Sequence, residues 1–268
     1  PLAPMARSQR LIADPALGGC RARAEEPALA AAPGVAAEAP EDLGFHVLLP
    51  EGEGGSQEAE EAARLSSVPS LRLVAVGPFG NATHPTTRLV LRWMATASGR
   101  EAVKGSAVCD YGCGSGVLAI AAALRGAARC VGIDNDIAAL AAARANAEAN
   151  GAALEVHLPP AEVLDRDLDF YTRFGDWRAR AEGWQPLPAA AAGFDVLLCN
   201  IVVGPLCNVA PTVAELCRPR GRVALSGFRG DHMRRQVEAA YGPFFELEEA
   251  GAEDGWQMLL GRWRPRAE

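Results

Sequence analysis

From about residue 70 onward, short apolar runs alternate with longer runs of helix-forming residues. The apolar runs are nearly continuous, as is typical of strands buried on both faces. They are "SAVCDY", "RCVGID", "LEVHL", "FDVLLC" and "GRVALSG". The helical runs are "VLAIAAALRGAA", "IAALAAARANAEANG", "VAPTVAELCR" and "DHMRRQVEAAY". Because strands and helices alternate, the pattern predicts an α/β domain with a parallel sheet covered on both faces.

The end of the chain carries a different pattern. Two further strand-like runs, "FFELEEA" and "WQMLLGRW", flank the turn-forming stretch "GAEDG" and predict a closing hairpin. Gly151 is placed to end the second helix as its C-cap, and Asp231 is placed to begin the last helix as its N-cap. We therefore predict a seven-stranded, mostly parallel sheet whose last strand is antiparallel.

Residues 1–68 differ from the rest of the chain in composition. The stretches "EEPALAAAPGVAAEAPED" and "EGEGGSQEAEEAARLSS" are rich in Ala, Pro, Gly and Glu and poor in aromatic and β-branched residues. Such a composition buries too little apolar area to offset the entropy of ordering. We predict a flexible segment over residues 1–68, with a short strand at "FHVLLP", and a folded domain over residues 69–268.

Overall composition and charge narrow the classes of function. Hydrophobic residues make up 49% of the 268 positions, and the formal net charge is −7. The acidic balance argues against an extended nucleic-acid-binding surface. No apolar run approaches the roughly 20 residues that a membrane helix requires. The composition therefore predicts a protein that does not bind membranes.

Cysteine usage bears on the compartment. The chain has seven cysteines and no C-x-x-C, which predicts neither a disulfide framework nor a zinc site, and no other metal site is expected. A reducing compartment follows, and secretion is not expected. The first residues are rich in arginine and somewhat similar to a transit peptide, which leaves a cytoplasmic and an organellar location (mitochondrion or plastid) both open.

The stretch "DYGCGSG", residues 110–116, lies between a predicted strand and a predicted helix. Its glycines, Gly112, Gly114 and Gly116, give G-x-G-x-G rather than the G-x-G-x-x-G of dinucleotide-binding proteins. Glycines at such a turn let a cofactor pack against the backbone near a helix N-terminus. A tight turn of an ordinary βαβ unit is the alternative.

Acidic side chains flank this loop. Asp134 ends the next strand, 22 residues after Gly112, where a carboxylate can accept hydrogen bonds from both ribose hydroxyls of a nucleoside. Asp136 competes for that role, but Asp134 is preferred because the strand ends there. Asp110, just before the turn, is expected to hold loop amides, meet a positive group on the cofactor, or cap the next helix.

Asn200 follows the fourth strand in "CNIVVGPL". The carboxyl ends of strands in open α/β sheets form the crevice where ligands bind. An amide there offers both hydrogen-bond donors and acceptors. Position alone does not separate this role from that of a turn-forming asparagine.

The glycine loop, Asp134, Asn200 and the upstream "FGNATHPTTRLVLRWM" together resemble one family. It is the ribosomal protein L11 methyltransferase (PrmA-like) family of protein lysine methyltransferases, which use S-adenosylmethionine. The order of "THPTT", "DYGCGSGVLAIAA", "VGIDND", "CNIVVGPL" and "LSG" is similar to that of the family over about residues 70–262. Electron-transfer flavoprotein β-subunit lysine methyltransferase is similar in the same core. The resemblance implies a class I methyltransferase (Rossmann-like) fold.

The resemblance implies roles for individual residues. Cofactor contacts are implied at Thr87, the glycine loop (Gly112, Gly114 and Gly116), Asp134 and Asn200, and Asn200 is also expected to orient the reacting amine. His84 lies in the same "THPTT" segment, either in a catalytic role or, as we prefer, fixed structurally by local hydrogen bonds.

Two regions depart from the family. Residues 1–68 do not resemble its compact N-terminal substrate-recognition domain. Residues 165–193 form an insertion that is rich in aromatic residues: Phe170, Tyr171, Phe174, Trp177 and Trp184. Two interpretations of the insertion stay open, a lid or substrate-binding surface and a helix that packs its aromatic side chains on the sheet.

The resemblance implies methyl transfer from S-adenosylmethionine to a lysine of a protein substrate, either ribosomal protein L11 or an organellar protein. A cofactor-binding protein without turnover is one alternative, and a methyltransferase of nucleic acid or of a small molecule is another. Against nucleic acid, "NIVV" lacks the proline and the aromatic residue that would stack a flipped base. A nucleotide-dependent oxidoreductase is disfavoured by the glycine spacing. No general base stands out in the sequence.

Overall fold

The computed structural model describes residues 40–50, 53–75, 82–166 and 183–264. The described strands are β1 (His46–Leu48), β2 (Ser70–Arg72), β3 (Ala107–Tyr111), β4 (Arg129–Ile133), β5 (Glu155–His157), β6 (Phe194–Asn200), β7 (Cys217–Arg229), β8 (Phe245–Glu253) and β9 (Trp256–Trp263). The described α-helices are α1 (Pro40–Leu43), α2 (Gln57–Leu65), α3 (Pro85–Ala95), α4 (Ala97–Val103), α5 (Val117–Leu124), α6 (Ile137–Ala149), α7 (Ala161–Arg166), α8 (Val203–Asn208), α9 (Ala210–Leu216) and α10 (Gly230–Tyr241), with a 3-10 turn at Ala189–Ala191.

Seven strands form the main sheet in the order β5-β4-β3-β6-β7-β9-β8. The first five of these pair in parallel, and β9 runs antiparallel to both β7 and β8. The predicted α/β architecture, with its antiparallel last strand, is confirmed. The chain order reverses between β3 and β6, which is the point where open α/β sheets bind ligands.

Alternate side chains of β6 enter two separate apolar cores. Val196 and Leu198 are buried with residues of α3 and α5 on one face of the sheet. Leu197 and Cys199 are buried with residues of α8, α9 and α10 on the other. Because side chains of a strand alternate in direction, a run that is apolar at every position needs helices on both faces. This burial fixes the direction in which the carboxyl end of β6 presents Asn200.

Both predicted helix caps differ from those in the structure. The C-cap of α6 is Asn150, and Gly151 follows it with φ +59, the left-handed conformation that glycine adopts readily after a helix. The prediction of Asp231 as an N-cap is wrong, because α10 begins at Gly230 and its N-cap is Arg229, two residues earlier, without a side-chain cap. Asp231 lies in the first turn instead, where a carboxylate favours the helix dipole.

Residues 40–73 contain regular elements where composition predicts a flexible segment with one strand. The predicted strand is present as β1, and it pairs in parallel with β2. Helix α2 lies between them and is capped by Ser56, whose side chain accepts a hydrogen bond from the backbone of Ala59 at 3.2 Å. The boundary of the folded part therefore differs from the predicted residue 69; residues 1–39 lie outside the described part.

Long-range packing explains this difference. Leu43, Phe45 and Leu71 are buried in the same core as α3 and α5. Arg125 of α5 places its guanidinium 4.6 Å from the centre of the Phe45 ring and donates a hydrogen bond to the carbonyl of Gly44 at 2.9 Å. A few apolar side chains are enough to order this segment because they pack on the apolar surface of α3 and α5. The composition of the segment does not reveal that surface.

The predicted insertion is described only at its two ends. Residues 167–182, with Phe170, Tyr171, Phe174 and Trp177, lie outside the described residues. Trp184 packs against the cluster that includes Leu140, Leu158 and Leu164, and the Arg144 guanidinium lies 4.3 Å from its ring centre. Trp184 therefore packs on the domain, as the second interpretation of the insertion expects. A lid formed by the other four aromatic residues stays a prediction.

Over the described residues, the helices include none with the length and apolar character to span a membrane. Six cysteines are described there, and all are free thiols. No cluster of potential metal ligands occurs in the same ranges.

Candidate functional site

A small cleft lies at the switch point of the sheet, where the carboxyl ends of β3 and β6 meet the first turn of α3. Its lining residues are Thr87, Asp110, Gly112, Cys113, Gly114, Val117, Leu118 and Asn200. The structure thus brings together four of the predicted site residues: Thr87, Gly112, Gly114 and Asn200. The other two are not among the lining residues: Gly116 ends the glycine loop at the N-cap of α5, and Asp134 accepts a hydrogen bond from the loop at Gly114.

The glycine loop requires glycine for conformation and for space. Gly112, Gly114 and Gly116 have φ values of +78, +52 and +78, which side-chain-bearing residues rarely adopt. A Cβ on Gly112 would lie 2.1 Å from Cγ2 of Ile201, and one on Gly116 would lie 3.0 Å from Cβ of Ala143. The loop is therefore pressed between α6 and the residue that follows Asn200.

Backbone bonds tie this loop to β4. The backbone amides of Gly112 and Cys113 both donate to the carbonyl of Ile133, at 2.7 and 2.9 Å. Asp134, the next residue, accepts from the amide of Gly114 at 2.9 Å and from that of Asp136 at 2.9 Å. Burial raises the pKa of Asp134 above its usual value, although these amide bonds oppose the shift.

Asp136 has a different function in the structure. It is the N-cap of α6, and its Oδ1 accepts a hydrogen bond from the amide of Ala138 at 2.9 Å. Its side chain is exposed, whereas Asp134 is in contact with the glycine loop. The two carboxylates that compete in the sequence are thus separated by geometry.

Asp110 lies at the base of the cleft with only 1% of its surface exposed. Its Oδ2 accepts from the amide of Ala119 at 3.2 Å, in the first turn of α5, whose N-cap Gly116 has no side chain to offer. Its Oδ1 is buried and has no hydrogen-bond partner among the described residues. Burial, assisted by the nearby charge of Asp134, raises the pKa of Asp110 to about 7. One oxygen therefore bonds to the first turn of α5, and the other faces no hydrogen-bond donor among the described residues.

The opposite wall is built from distant parts of the chain. The side-chain amide of Asn200 donates to Oγ1 of Thr87 at 3.2 Å, and Thr87 is only 2% exposed. The next residue, Ile201, is held between two glycines: Gly112 meets its side chain, and a Cβ on Gly227 (φ +98) would lie 2.2 Å from its carbonyl oxygen. Gly227 is a support that sequence reasoning missed, although it lies in the quoted "LSG".

His84 is used as a helix cap. Its Nδ1 accepts a hydrogen bond from the backbone amide of Thr86 at 3.3 Å and lies 2.8 Å from Oγ1 of the same residue. Its ring meets Trp256 edge-on, with centroids 4.8 Å apart. Burial, and then the charge of Arg88, lowers the pKa of His84, so the ring is neutral at pH 7. These partners favour the structural role over the catalytic one.

An ion-pair cluster holds α3 against the β8–β9 hairpin. Glu253 pairs with Arg88 and with Arg92, the latter at 2.6 Å, and only 14% of its side chain is exposed. Arg88 also donates to the carbonyl of Thr83 at 3.0 Å, just before the helix cap. Sequence reasoning missed Glu253, because nothing local marks a carboxylate at a hairpin end as the partner of a helix 161 residues away.

Comparison with known proteins gives a family model and several similar bacterial enzymes. The profile described as "Ribosomal protein L11 methyltransferase (PrmA)" matches residues 71–264. A ribosomal protein L11 methyltransferase of Pseudomonas putida strain W619 is 41% identical over 186 residues, which are 69% of this chain and 54% of that protein. The same enzyme of Marinobacter nauticus is 41% identical over 184 residues, 69% of this chain and 52% of the relative. The chain therefore spans about half the length of the curated relatives it matches.

Solved structures share the fold. The ribosomal protein L11 methylase of Lactobacillus delbrueckii subsp. bulgaricus aligns with a TM-score of 0.52 at 24% identity, over 74% of this chain and 86% of that one. The T. thermophilus 16S rRNA N2 G1207 methyltransferase, solved with AdoMet and guanosine, aligns with a TM-score of 0.50 at 21% identity, over 68% and 44% of the two chains. At these identities the likeness concerns architecture.

The matched residues run from the strand before the "THPTT" segment to the end of β9, and they include the whole cleft. The chain belongs to the ribosomal protein L11 methyltransferase (PrmA) family.

Proposed function

We propose that this chain is the S-adenosylmethionine-binding and methyl-transferring part of a protein that methylates lysine side chains of a protein substrate, with ribosomal protein L11 as the first candidate. The observation that carries the proposal is the cleft itself. It joins the glycine loop, Thr87 and Asn200 around a buried carboxylate oxygen that has no partner among the described residues. The name shared by the bacterial relatives supports the substrate class.

The donor set fits the cofactor. A buried carboxylate without a partner is costly unless a positive group or a hydrogen-bond donor meets it. The cofactor carries two such cationic groups, an ammonium and a sulfonium, and Asp110 Oδ1 would hold one of them. Binding a cation there would also favour the ionised form of Asp110, whose pKa of about 7 makes it only partly ionised at neutral pH.

Asp134 would hold the ribose. A carboxylate offers about four lone-pair positions, and those on Asp134 are partly taken by the backbone amides of Gly114, Asp136 and Asn135. A remaining position is available to a ribose hydroxyl at the carboxyl end of β4. These amide bonds fix the orientation of the carboxylate before any ligand arrives.

Asn200 would orient the substrate amine. Its amide nitrogen donates to Thr87, so its Oδ1 is the atom left to accept a hydrogen bond from an incoming amine. The cofactor supplies an electrophilic methyl group, and the chain supplies orientation and electrostatics. A lysine amine with a pKa near 10.4 must lose a proton before it can react. His84 does not serve as the base, because its acceptor nitrogen caps α3; the proton is released to water.

The proposal predicts a pH profile. With chemistry rate-limiting, methyl transfer should rise with pH toward the perturbed pKa of the substrate amine, because only the neutral amine attacks. A profile that is flat between pH 7 and 9 under single-turnover conditions would count against release of the proton to water.

The test of the function is transfer of labelled methyl from S-adenosylmethionine to purified bacterial ribosomal protein L11 and to a bacterial extract. Wild type is compared with Asp134→Ala, and Asp136→Ala is the matched control because it removes a neighbouring carboxylate that only caps α6. We expect lysine methylation, mapped by mass spectrometry, in wild type and Asp136→Ala and its loss in Asp134→Ala.

Other outcomes would overturn parts of the proposal. Tight binding of S-adenosylhomocysteine without transfer to any protein would favour a cofactor-binding protein without turnover. Label in the RNA fraction instead would show the substrate class to be wrong. Absence of cofactor binding in wild type would reject the function as a whole.

A further inference from the structure

A fully buried asparagine lies on the face of α6 that contacts the glycine loop. Asn146 has 0% of its surface exposed, in a helix otherwise rich in alanine. Asparagine is a poor helix former, since its side chain competes for backbone hydrogen bonds. Its presence in the helix interior therefore has to be explained by contacts outside the helix.

Those contacts are backbone groups of two separate segments. The Oδ1 of Asn146 accepts from the amides of Val74 and Ala75 at 2.7 and 2.9 Å. Its Nδ2 donates to the carbonyl of Ala75 at 2.7 Å and to that of Ser115 at 2.8 Å. These four bonds use the whole capacity of the side chain. One amide group thus joins the segment after β2 to the centre of the glycine loop.

Asn150, one turn later, makes comparable bonds without reaching the loop. Its Oδ1 accepts from the amide of Arg72 at 2.8 Å, and its Nδ2 donates to the carbonyls of Arg72 and Asn146 at 2.6 and 2.7 Å. Both asparagines therefore hold residues 72–75 to α6. Only Asn146 also holds Ser115, the residue between Gly114 and Gly116.

We propose that Asn146 is a positioning residue for cofactor binding, in addition to its contribution to stability. It lies outside the cleft lining and touches no reacting group. Through Ser115 it fixes the carbonyl side of the glycine loop, whose amide side is fixed by Asp134 and Ile133. Through Val74 and Ala75 it also holds the segment after β2. This inference rests on the proposed function for the identity of the ligand.

Two isosteric substitutions form the test. Asn146→Asp, within α6, and Asn150→Asp, at its C-cap four residues later, each keep the accepting oxygen and lose two donated hydrogen bonds. Affinity for S-adenosylhomocysteine is measured by calorimetry at a temperature below both unfolding transitions. We expect Asn146→Asp to bind roughly 10- to 100-fold more weakly than wild type and Asn150→Asp to bind within about twofold of it. Equal losses in the two variants would overturn the proposal.

Amide hydrogen exchange followed by NMR separates positioning from general stability. In ligand-free protein, Asn146→Asp should speed exchange in residues 114–117 and 74–75, and Asn150→Asp should not affect residues 114–117. In wild type, S-adenosylhomocysteine should slow exchange at Val74 and Ala75 and leave Arg72 unchanged. Unchanged exchange at Val74 and Ala75 would overturn the proposal even if Asn146→Asp does not fold.

The two proposals fail separately. If wild type binds no S-adenosylhomocysteine, the proposed cofactor is wrong. In that case, whether Asn146 positions the loop is decided by comparing amide exchange of residues 114–117 between ligand-free wild type and ligand-free Asn146→Asp. If wild type binds and the two variants behave alike, the function stands and the role of Asn146 is wrong.

Discussion

The two walls of the cleft are built in different ways. The glycine wall runs from Asp110 to Asp134 and consists of one strand–loop–helix–strand unit, closed by hydrogen bonds between neighbours in the fold. The opposite wall joins Thr87 to Asn200, which are 113 residues apart. The first wall depends on backbone conformation and the second on supports from remote elements.

This difference predicts which substitutions disturb each wall. The glycine wall tolerates few changes within itself, because its φ values and contacts leave no room for side chains. The Thr87–Asn200 wall can be disturbed from a distance, through Glu253 on the hairpin or Gly227 on β7. Four predictions test the contrast, in order of decreasing expected effect.

The largest effect is expected where the walls touch. Gly112→Ala adds a Cβ that would lie 2.1 Å from the branched side chain of Ile201, at a φ of +78. Left-handed strain and overpacking together should lower the free energy of unfolding by about 3–5 kcal/mol and abolish cofactor binding. Urea unfolding and calorimetry measure the two quantities.

Gly105→Ala is the matched control, because Gly105 has a φ of +73 with nothing within 4 Å of its Cβ position. It should lose only about 1–2 kcal/mol from the strain. Equal destabilisation of the two variants would mean that contact with Ile201 contributes nothing.

The next effect concerns Asp110 within the glycine wall. Because burial raises its pKa from 3.8 to about 7, the folded apo protein holds a proton that the unfolded chain releases between those values. Asp110 therefore makes stability fall as pH rises from about 4 to 7, by on the order of 4 kcal/mol. Asp110→Asn should lack this fall while its Oδ1 still accepts from Ala119. Parallel urea-unfolding profiles against pH for wild type and variant would contradict the prediction.

A smaller effect is expected from the remote support of the other wall. Glu253→Gln removes the charge that pairs with Arg88 and Arg92, and should lower the free energy of unfolding by about 2–3 kcal/mol. The glycine wall should keep its exchange protection, while that of the first turn of α3 falls. Glu249→Gln is the control, since Glu249 is 51% exposed and pairs with Arg234 at the surface, and it should change stability by less than about 1 kcal/mol.

The smallest effect separates orientation from binding. Thr87→Val keeps the shape of the side chain and removes the oxygen that accepts from Asn200. One net hydrogen bond corresponds to about 1 kcal/mol, so methyl transfer should fall roughly three- to tenfold, mainly in kcat. Thr87→Ser retains the hydroxyl and should stay near wild type. A change confined to cofactor affinity would show that Thr87 holds the cofactor and does not position Asn200.

Sequence reasoning predicted the glycine wall better than its supports. The loop and the strands on either side follow from patterns within 25 residues; Asp134 contacts the loop and Asp136 caps α6, and the preference for Asp134 as the ribose-binding carboxylate stays a prediction. The prediction for Asp231 was wrong because capping depends on where a helix begins, and strand β7 continues to Arg229 before α10 starts. Of the elements between residues 40 and 73 only the strand β1 was predicted, because the order of this segment depends on a surface that other residues supply.

The sequence by itself determined the alternation of strands and helices, the glycine loop and its acidic partner, because each depends on local periodicity or on the conformational freedom of glycine. Only the tertiary structure decided that Ile201 is held between Gly112 and Gly227 and that Asn146 joins the loop to the segment after β2. It also decided that one oxygen of Asp110 finds no partner in the part of the chain that the structure describes. Hydrogen-bond satisfaction and steric contact are properties of pairs of groups, and those pairs exist only after the sheet has brought distant residues to one edge.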